Sequence, residues 1–117
     1  MPKVLIVDDD ATMLRLMSTL LPFEGFEVAV SSDPGTTLDA ARAARPDVFL
    51  VDLYLQGGSG LDVVRALRAD SQFIATPIVM ISGEDREEDA RRAGANVFLL
   101  KPFMPDQLIS ALKALVP

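Results

Sequence analysis

Five short apolar runs recur along this chain of 117 residues: Val4–Val7, Val28–Val30, Val48–Val51, Ile78–Ile81 and Val97–Leu100. Each is continuous rather than alternating, and most are rich in β-branched side chains. A strand with one face in water alternates apolar and polar residues. An unbroken run must be covered on both faces, as in a parallel sheet packed between helices. The gaps between the runs suit that arrangement, because a parallel crossover needs about a dozen residues or more.

The gaps carry helical patterns. Met13, Leu16, Met17 and Leu20 fall at i, i+3, i+4 and i+7 and form one apolar stripe. Leu108, Ile109, Leu112, Leu115 and Val116 form another, and Pro105 suits the first turn of that helix. Ser59 is placed to cap a helix over Leu61–Ala69, and Asp33-Pro34 opens a segment over Thr36–Ala44. The stretch Asp85–Ala93 has only alanines as apolar residues, although Glu87/Arg91 and Glu88/Arg92 are spaced to pair. It reads as a solvated, loosely anchored helix. Strand and helix thus alternate five times, which predicts an α/β fold with a five-stranded parallel sheet and helices on both faces. No linker or repeat interrupts the pattern, so residues 1–117 read as one domain.

Composition narrows the chemistry. The chain has no histidine, cysteine or tryptophan, and 11 basic against 17 acidic residues leave a net charge of −6. Histidine-activated nucleophiles, imidazole ligands, thiolate catalysis and sulfur-bound metals are excluded. The charge disfavours direct contact with nucleic acid. No apolar run is long enough to span a membrane, and three aspartates soon after the N-terminus do not suit a signal peptide. A cytoplasmic location is the expectation.

Open α/β sheets bind ligands beyond the carboxyl ends of their strands. The first run ends in Asp8-Asp9-Asp10, the third in Asp52, the fourth in Ser82 and the fifth in Lys101-Pro102. The second ends in Ser31-Ser32-Asp33, ordinary turn and cap chemistry. Any one of these groups has a plain explanation. An aspartate after a strand often caps the next helix, a role that suits Asp10. Ser82 before Gly83 is a common turn pair. Asp52 is harder to explain so, because Leu53-Tyr54-Leu55 continue the apolar character. Of three lysines, only Lys101 lies at this rim. The Gly57-Gly58-Ser59-Gly60 run matches no phosphate-cradling motif and reads as a flexible strand-to-helix loop.

As a set, the groups point to one site. Two carboxylates about 4 Å apart repel by about 4 kcal/mol at an effective dielectric near 20. A cluster needs cations, and oxygen-only ligation with room for water suits Mg²⁺. A carboxylate there can act as a nucleophile towards a phosphoryl group, with Lys101 and the Ser82 hydroxyl around the phosphoryl oxygens.

Val-Leu-Ile-Val-Asp-Asp-Asp at 4–10, Leu-Val-Asp-Leu at 50–53, Met-Ile-Ser-Gly at 80–83 and Gly-Ala-Asn-Val-Phe-Leu-Leu-Lys-Pro-Phe at 94–103 appear in that order. With these motifs the chain resembles the receiver domain of bacterial two-component response regulators, from Lys3 to about Val116. The resemblance implies a flavodoxin-like, doubly wound sheet of strand order 2-1-3-4-5 with five helices. It implies Asp52 as phosphoacceptor, with Lys101 and Ser82 as its catalytic companions. It also implies Mg²⁺ held by Asp8, Asp9, Asp52 and the backbone carbonyl of Tyr54. Ser82 and Phe98 match the switch pair, and the Lys101–Pro102 bond would be cis.

The implied partners are a sensor histidine kinase or histidine phosphotransfer protein, and an effector docking on the face built from the fourth helix, fifth strand and fifth helix. The only catalysis implied is the chain's own phosphorylation and dephosphorylation. Gln56 stands where the family usually has proline, and Phe98 lacks the hydroxyl of the commoner tyrosine. Tyr54 and Glu84, two residues beyond Asp52 and Ser82, occupy places that influence phosphoryl lifetime in the family. Two competing readings are a Mg²⁺-dependent phosphatase with an aspartyl nucleophile and an interaction module that works without phosphorylation.

Overall fold

Side chains on a strand alternate between the two faces of a sheet, so continuous apolar runs produce two cores rather than one. The computed structural model describes residues 1–117 and shows this directly. The main strands are β1 (Lys3–Val7), β2 (Glu27–Ser31), β3 (Val48–Asp52), β6 (Ile78–Ser82) and β7 (Val97–Leu100). All pair in parallel in the order β2-β1-β3-β6-β7. Counting sheet strands alone, this is the expected 2-1-3-4-5. On one face Leu5, Val7, Phe49, Val51, Ile78 and Met80 meet α2 (Thr37–Ala44), α3 (Gly60–Ala69) and α4 (Glu87–Ala93). On the other, Val4, Ile6, Val48, Leu50, Val79 and Ile81 meet α1 (Ala11–Phe23) and α5 (Pro105–Leu115).

Burial follows position in the sheet. The apolar residues of the interior strands β1, β3 and β6 are fully enclosed. The edge strands are not: Val30 of β2 and Leu100 of β7 are exposed, because each edge lacks a neighbour. The apolar runs at the edges therefore overstate their burial. The stripe on α1 is also rotated from its expected phase. Met17 and Leu21 are its buried residues, whereas Leu16 faces solvent, because the sheet takes the 17/21 row of the helix. Asp10 is the N-cap of α1, as expected, accepting from the Thr12 and Met13 amides at 3.0 and 3.4 Å.

Two further segments depart from the sequence reading. The glycine run is not a free loop. Tyr54–Leu55 (β4) and Gly58–Ser59 (β5) pair antiparallel around Gly57, whose φ of 82° explains the glycine. Ser59 then caps α3, its Oγ accepting from the Leu61 amide at 3.1 Å. A 3-10 turn at Pro34–Thr36 likewise precedes α2.

Helix α4 buries only Ala90 and Ala93, and its Glu87–Arg91 and Glu88–Arg92 pairs form. Its far end, however, is held by Arg68 of α3. That guanidinium donates to the carbonyls of Gly94, Phe73 and Thr76 at 3.0, 2.9 and 2.6 Å, and to Asn96 Oδ1 at 2.9 Å. Asn96 Oδ1 in turn accepts from the Ile78 amide that opens β6. A Cβ at Gly94 would lie 2.6 Å from the Arg68 side chain, so glycine both ends the helix at φ 123° and makes room for its anchor. No helix is long and apolar enough to cross a membrane.

Removing Arg68 leaves several partly buried carbonyls without a donor, each costing about 1–3 kcal/mol where water does not replace it. Arg68→Ala is expected to lower the unfolding free energy by about 2–4 kcal/mol with an unchanged urea m-value. A loss under about 0.5 kcal/mol would show that the anchor is ornamental.

Candidate functional site

A parallel sheet places the carboxyl ends of all its strands on one rim. Asp8 follows β1, while Asp52 is the last residue of β3 and Ser82 the last of β6; all three are buried. The register sets Asp52 beside Ile81 and Ser82 beside Leu100, which delivers Lys101 to the same rim. The Lys101 amide donates to the Ser82 carbonyl at 2.8 Å, and the Lys101–Pro102 bond is cis.

The contacts are specific. Lys101 Nζ donates to Asp52 Oδ2 at 2.8 Å, and the Tyr54 amide donates to Asp52 Oδ1 at 3.1 Å. Asp8 Oδ1 accepts from the Asp10 amide at 2.9 Å, but Asp8 Oδ2 is buried with no hydrogen-bond partner. Ser82 Oγ accepts from the Glu84 amide at 3.1 Å. Asp9 turns outward, its Oδ2 accepting from the Gln56 amide at 2.6 Å. Phe98 is half-buried, paired in register with Met80 and packed on the core between the sheet and α2, α3 and α4.

The electrostatics reflect this packing. Burial pushes the Asp8 carboxyl up to about 6; the Asp52 charge adds to the rise, while the Asp10 amide and Lys101 oppose it. For Lys101, burial works to lower the ammonium, but Asp52, then Asp8 and Asp10, outweigh it and leave its pKa raised.

Asp8, Asp52 and Lys101 are therefore brought together, while Asp9 sits at the edge on Gln56. No three acidic side chains are gathered into a ready-made metal cage. The fit to a hard cation is nevertheless good. An unpartnered, buried carboxylate oxygen calls for a cation, and Mg²⁺ keeps several waters and needs only one or two carboxylates from the protein.

Two residues of the site escaped the sequence reading. Gly60 opens α3 against the acceptor strand, and a Cβ there would lie 2.1 Å from the Asp52 carbonyl oxygen. The available signal was a glycine at the first position of a well-capped helix, where propensity disfavours it. Arg86, the N-cap residue of α4, donates from Nη1 to Tyr54 Oη at 3.0 Å. Nothing in its sequence position announces that contact.

The Asp8 shift has a consequence for stability. Its folded pKa lies above the ordinary 3.8, so its contribution is fully present below pH 3.8 and is lost as pH rises through about 6. Without divalent cation, Asp8→Asn is expected to raise the thermal midpoint at pH 7.5 by the equivalent of about 3 kcal/mol at most. That gain should vanish near pH 4 and reverse in excess Mg²⁺. An equal midpoint for both proteins at pH 7.5 would refute the strained carboxylate.

Comparison with known proteins gives the same picture. Residues 4–113 match the response regulator receiver domain family. The DNA-binding response regulator MtrA of Mycobacterium tuberculosis (strain ATCC 25618 / H37Rv) is 40% identical over 115 residues, covering 96% of this chain and 49% of that protein. The chain spans about half the length of such curated relatives. The chemotaxis protein CheY4 of Vibrio cholerae superposes with a TM-score of 0.92 at 34% identity over 99% of both chains. The receiver domain of sensor histidine kinase PA1611 from Pseudomonas aeruginosa, solved with magnesium in its active-site cleft, gives 0.88 at 25% identity over 97% of this chain and 96% of that one. The chain belongs to the receiver domain family of two-component response regulators.

Proposed function

We propose that residues 1–117 act as one receiver unit that takes a phosphoryl group on Asp52 from a phosphohistidine of a sensor kinase or phosphotransfer protein. The observation that carries this reading is the Lys101–Asp52 pair beside the unpartnered Asp8 oxygen. Asp8, Asp9, Asp52 and the Tyr54 carbonyl would hold Mg²⁺, which when bound neutralises charge on the phosphoryl oxygens. In transfer an Asp52 oxygen forms its bond to phosphorus as the phosphorus–nitrogen bond breaks, and the donor imidazole is released. Lys101, already on Asp52 Oδ2, can follow the charge onto a phosphoryl oxygen. Ser82 Oγ accepts from Glu84, so its own proton is free to donate to another.

The signal would pass through packing. A Ser82 drawn towards the phosphoryl group opens space near Phe98, which has no hydroxyl and must switch by its volume alone. Helix α4 buries only two alanines; Arg68 pins its C-terminal end through several bonds, whereas one bond from Arg86 to Tyr54 ties its N-terminal end, the cheaper one to move. The face of α4, β7 and α5 is thus the effector surface. The receiver's net charge of −6 keeps nucleic acid off this domain, whatever a longer protein does elsewhere. Self-phosphorylation and hydrolysis are its only catalysis, and the cytoplasm is its place of work.

The phosphatase reading needs a general acid two residues after its aspartyl nucleophile. Tyr54 occupies that place after Asp52, and Asp10, which has that spacing from Asp8, is occupied as the α1 cap. The complete set of acceptor, acid, hydroxyl and lysine likewise weighs against a phosphorylation-independent module.

Incubation with acetyl phosphate and Mg²⁺, read by intact mass, tests the proposal. Wild type is expected to gain one phosphoryl group and Asp52→Asn none. Lys101→Ala should slow uptake by on the order of 100-fold. An unmodified wild type would end the reading.

A further inference from the structure

The turn beyond the acceptor strand holds an acid that the metal site also claims. Leu55 pairs with Gly58, so Gln56 and Gly57 form the two-residue loop of the β4–β5 hairpin. Gly57 has a φ of 82°, while Arg45 is the only non-glycine residue with positive φ, so Gln56 keeps a negative one. That combination is a type II turn, whose internal bond joins the two outer residues and leaves the Gln56 N–H free. This N–H donates to Asp9 Oδ2 at 2.6 Å, across 47 positions of sequence.

The bond sets Asp9 apart from the other acids of the rim. Asp8 and Asp52 are buried there, yet no three acidic side chains are gathered together. The turn itself is seated. A Cβ on Gly58 would lie 3.1 Å from Pro34 Cγ, and at the foot of the hairpin the Gly60 N–H donates to the Leu53 carbonyl at 2.7 Å. With the hairpin braced on both sides, the movable partner in the bond is the Asp9 side chain.

We propose that the Gln56 backbone N–H restrains Asp9, holding its carboxylate outside the Mg²⁺ site, so that metal binding and release of this bond are one event. This rests on the Mg²⁺ role proposed for Asp8, Asp9 and Asp52. Cation and N–H compete for one carboxylate, and each weakens the other's hold by the same factor. A charge-assisted bond is given up on binding, so residue 56 tunes metal affinity through its main chain rather than its side chain. Proline, the family's usual residue at this place, has no N–H and could not make the bond.

Titration with MgCl₂, followed by the NMR shifts of the Asp10 and Tyr54 amides, tests the restraint. Gln56→Pro deletes the N–H, while its fixed φ suits the first loop position of a type II turn and Leu55, in a strand, suits a following proline. Gln56→Pro is expected to bind Mg²⁺ about fivefold more tightly than wild type. Gln56→Ala keeps the N–H and should stay within about twofold of wild type. Asp9→Asn keeps an oxygen for the amide but loses the charged ligand, and in that background Gln56→Pro should bring no gain. In wild type, Mg²⁺ should speed solvent exchange of the Gln56 amide by about fivefold, whereas a cation that merely stiffened the rim would slow it.

A wild type whose amides do not respond to Mg²⁺ would overturn the metal reading and the restraint with it. If wild type binds Mg²⁺, equal or weaker binding in Gln56→Pro would overturn the restraint alone. So would a gain that survives Asp9→Asn, or slower exchange of the Gln56 amide in Mg²⁺. The exchange measurement needs no variant and decides the matter even where Gln56→Pro misfolds.

Discussion

The structure turns on the cost of holding ionised carboxylates out of water at one rim of a parallel sheet. Asp8 and Asp52 are buried at adjacent strand ends, and the one cation delivered to them is Lys101. That pair forms only because β7 lies in register on β6 and carries Lys101 past Ser82. The compensation is partial: Lys101 satisfies Asp52, while the second oxygen of Asp8 has no donor at all. That unmet oxygen is the feature of the rim that fits a hard divalent cation.

Around that rim the fold divides into firm and soft parts. The three interior strands are enclosed on both faces and hold Asp8, Asp52 and Ser82 in fixed relation. The β7 edge is half-buried and carries Phe98, and α4 touches the core through two alanines. Arg68 ties the end of α4 to the loop before β6 and to Asn96. The result is a helix fixed at its C-terminal end by Arg68 and tied at its N-terminal end, next to the Ser82 loop, by the single Arg86–Tyr54 bond.

Legibility in the sequence tracked how local each cause was. Asp8, Asp52, Ser82 and Lys101 stand out because each ends an apolar run and parallel strands align their ends. The Asp10 and Ser59 caps were legible for the same local reason. The glycine run misled, because pairing of Tyr54–Leu55 with Gly58–Ser59 and the clearance Gly60 gives the Asp52 carbonyl are tertiary facts. The phase of α1 shifted because the sheet chose which row of a broadly apolar helix to bury. Asp9 on the Gln56 amide, Arg68 on the Gly94 carbonyl and Arg86 on Tyr54 join residues 47, 26 and 32 positions apart.

By itself the sequence determined the alternation of strands and helices, the parallel sheet and the acidic rim. Those follow from hydrophobic periodicity and from what stands at the end of each run, and both act over a few residues. Tertiary structure alone decided which carboxylate is strained and which is satisfied. Asp8, Asp9 and Asp10 are chemically identical neighbours, yet one is buried with an unmet oxygen, one is drawn to a distant amide and one caps a helix. Their different desolvation and different partners come from strands and loops far along the chain, and desolvation is a property of the packed environment rather than of the residue.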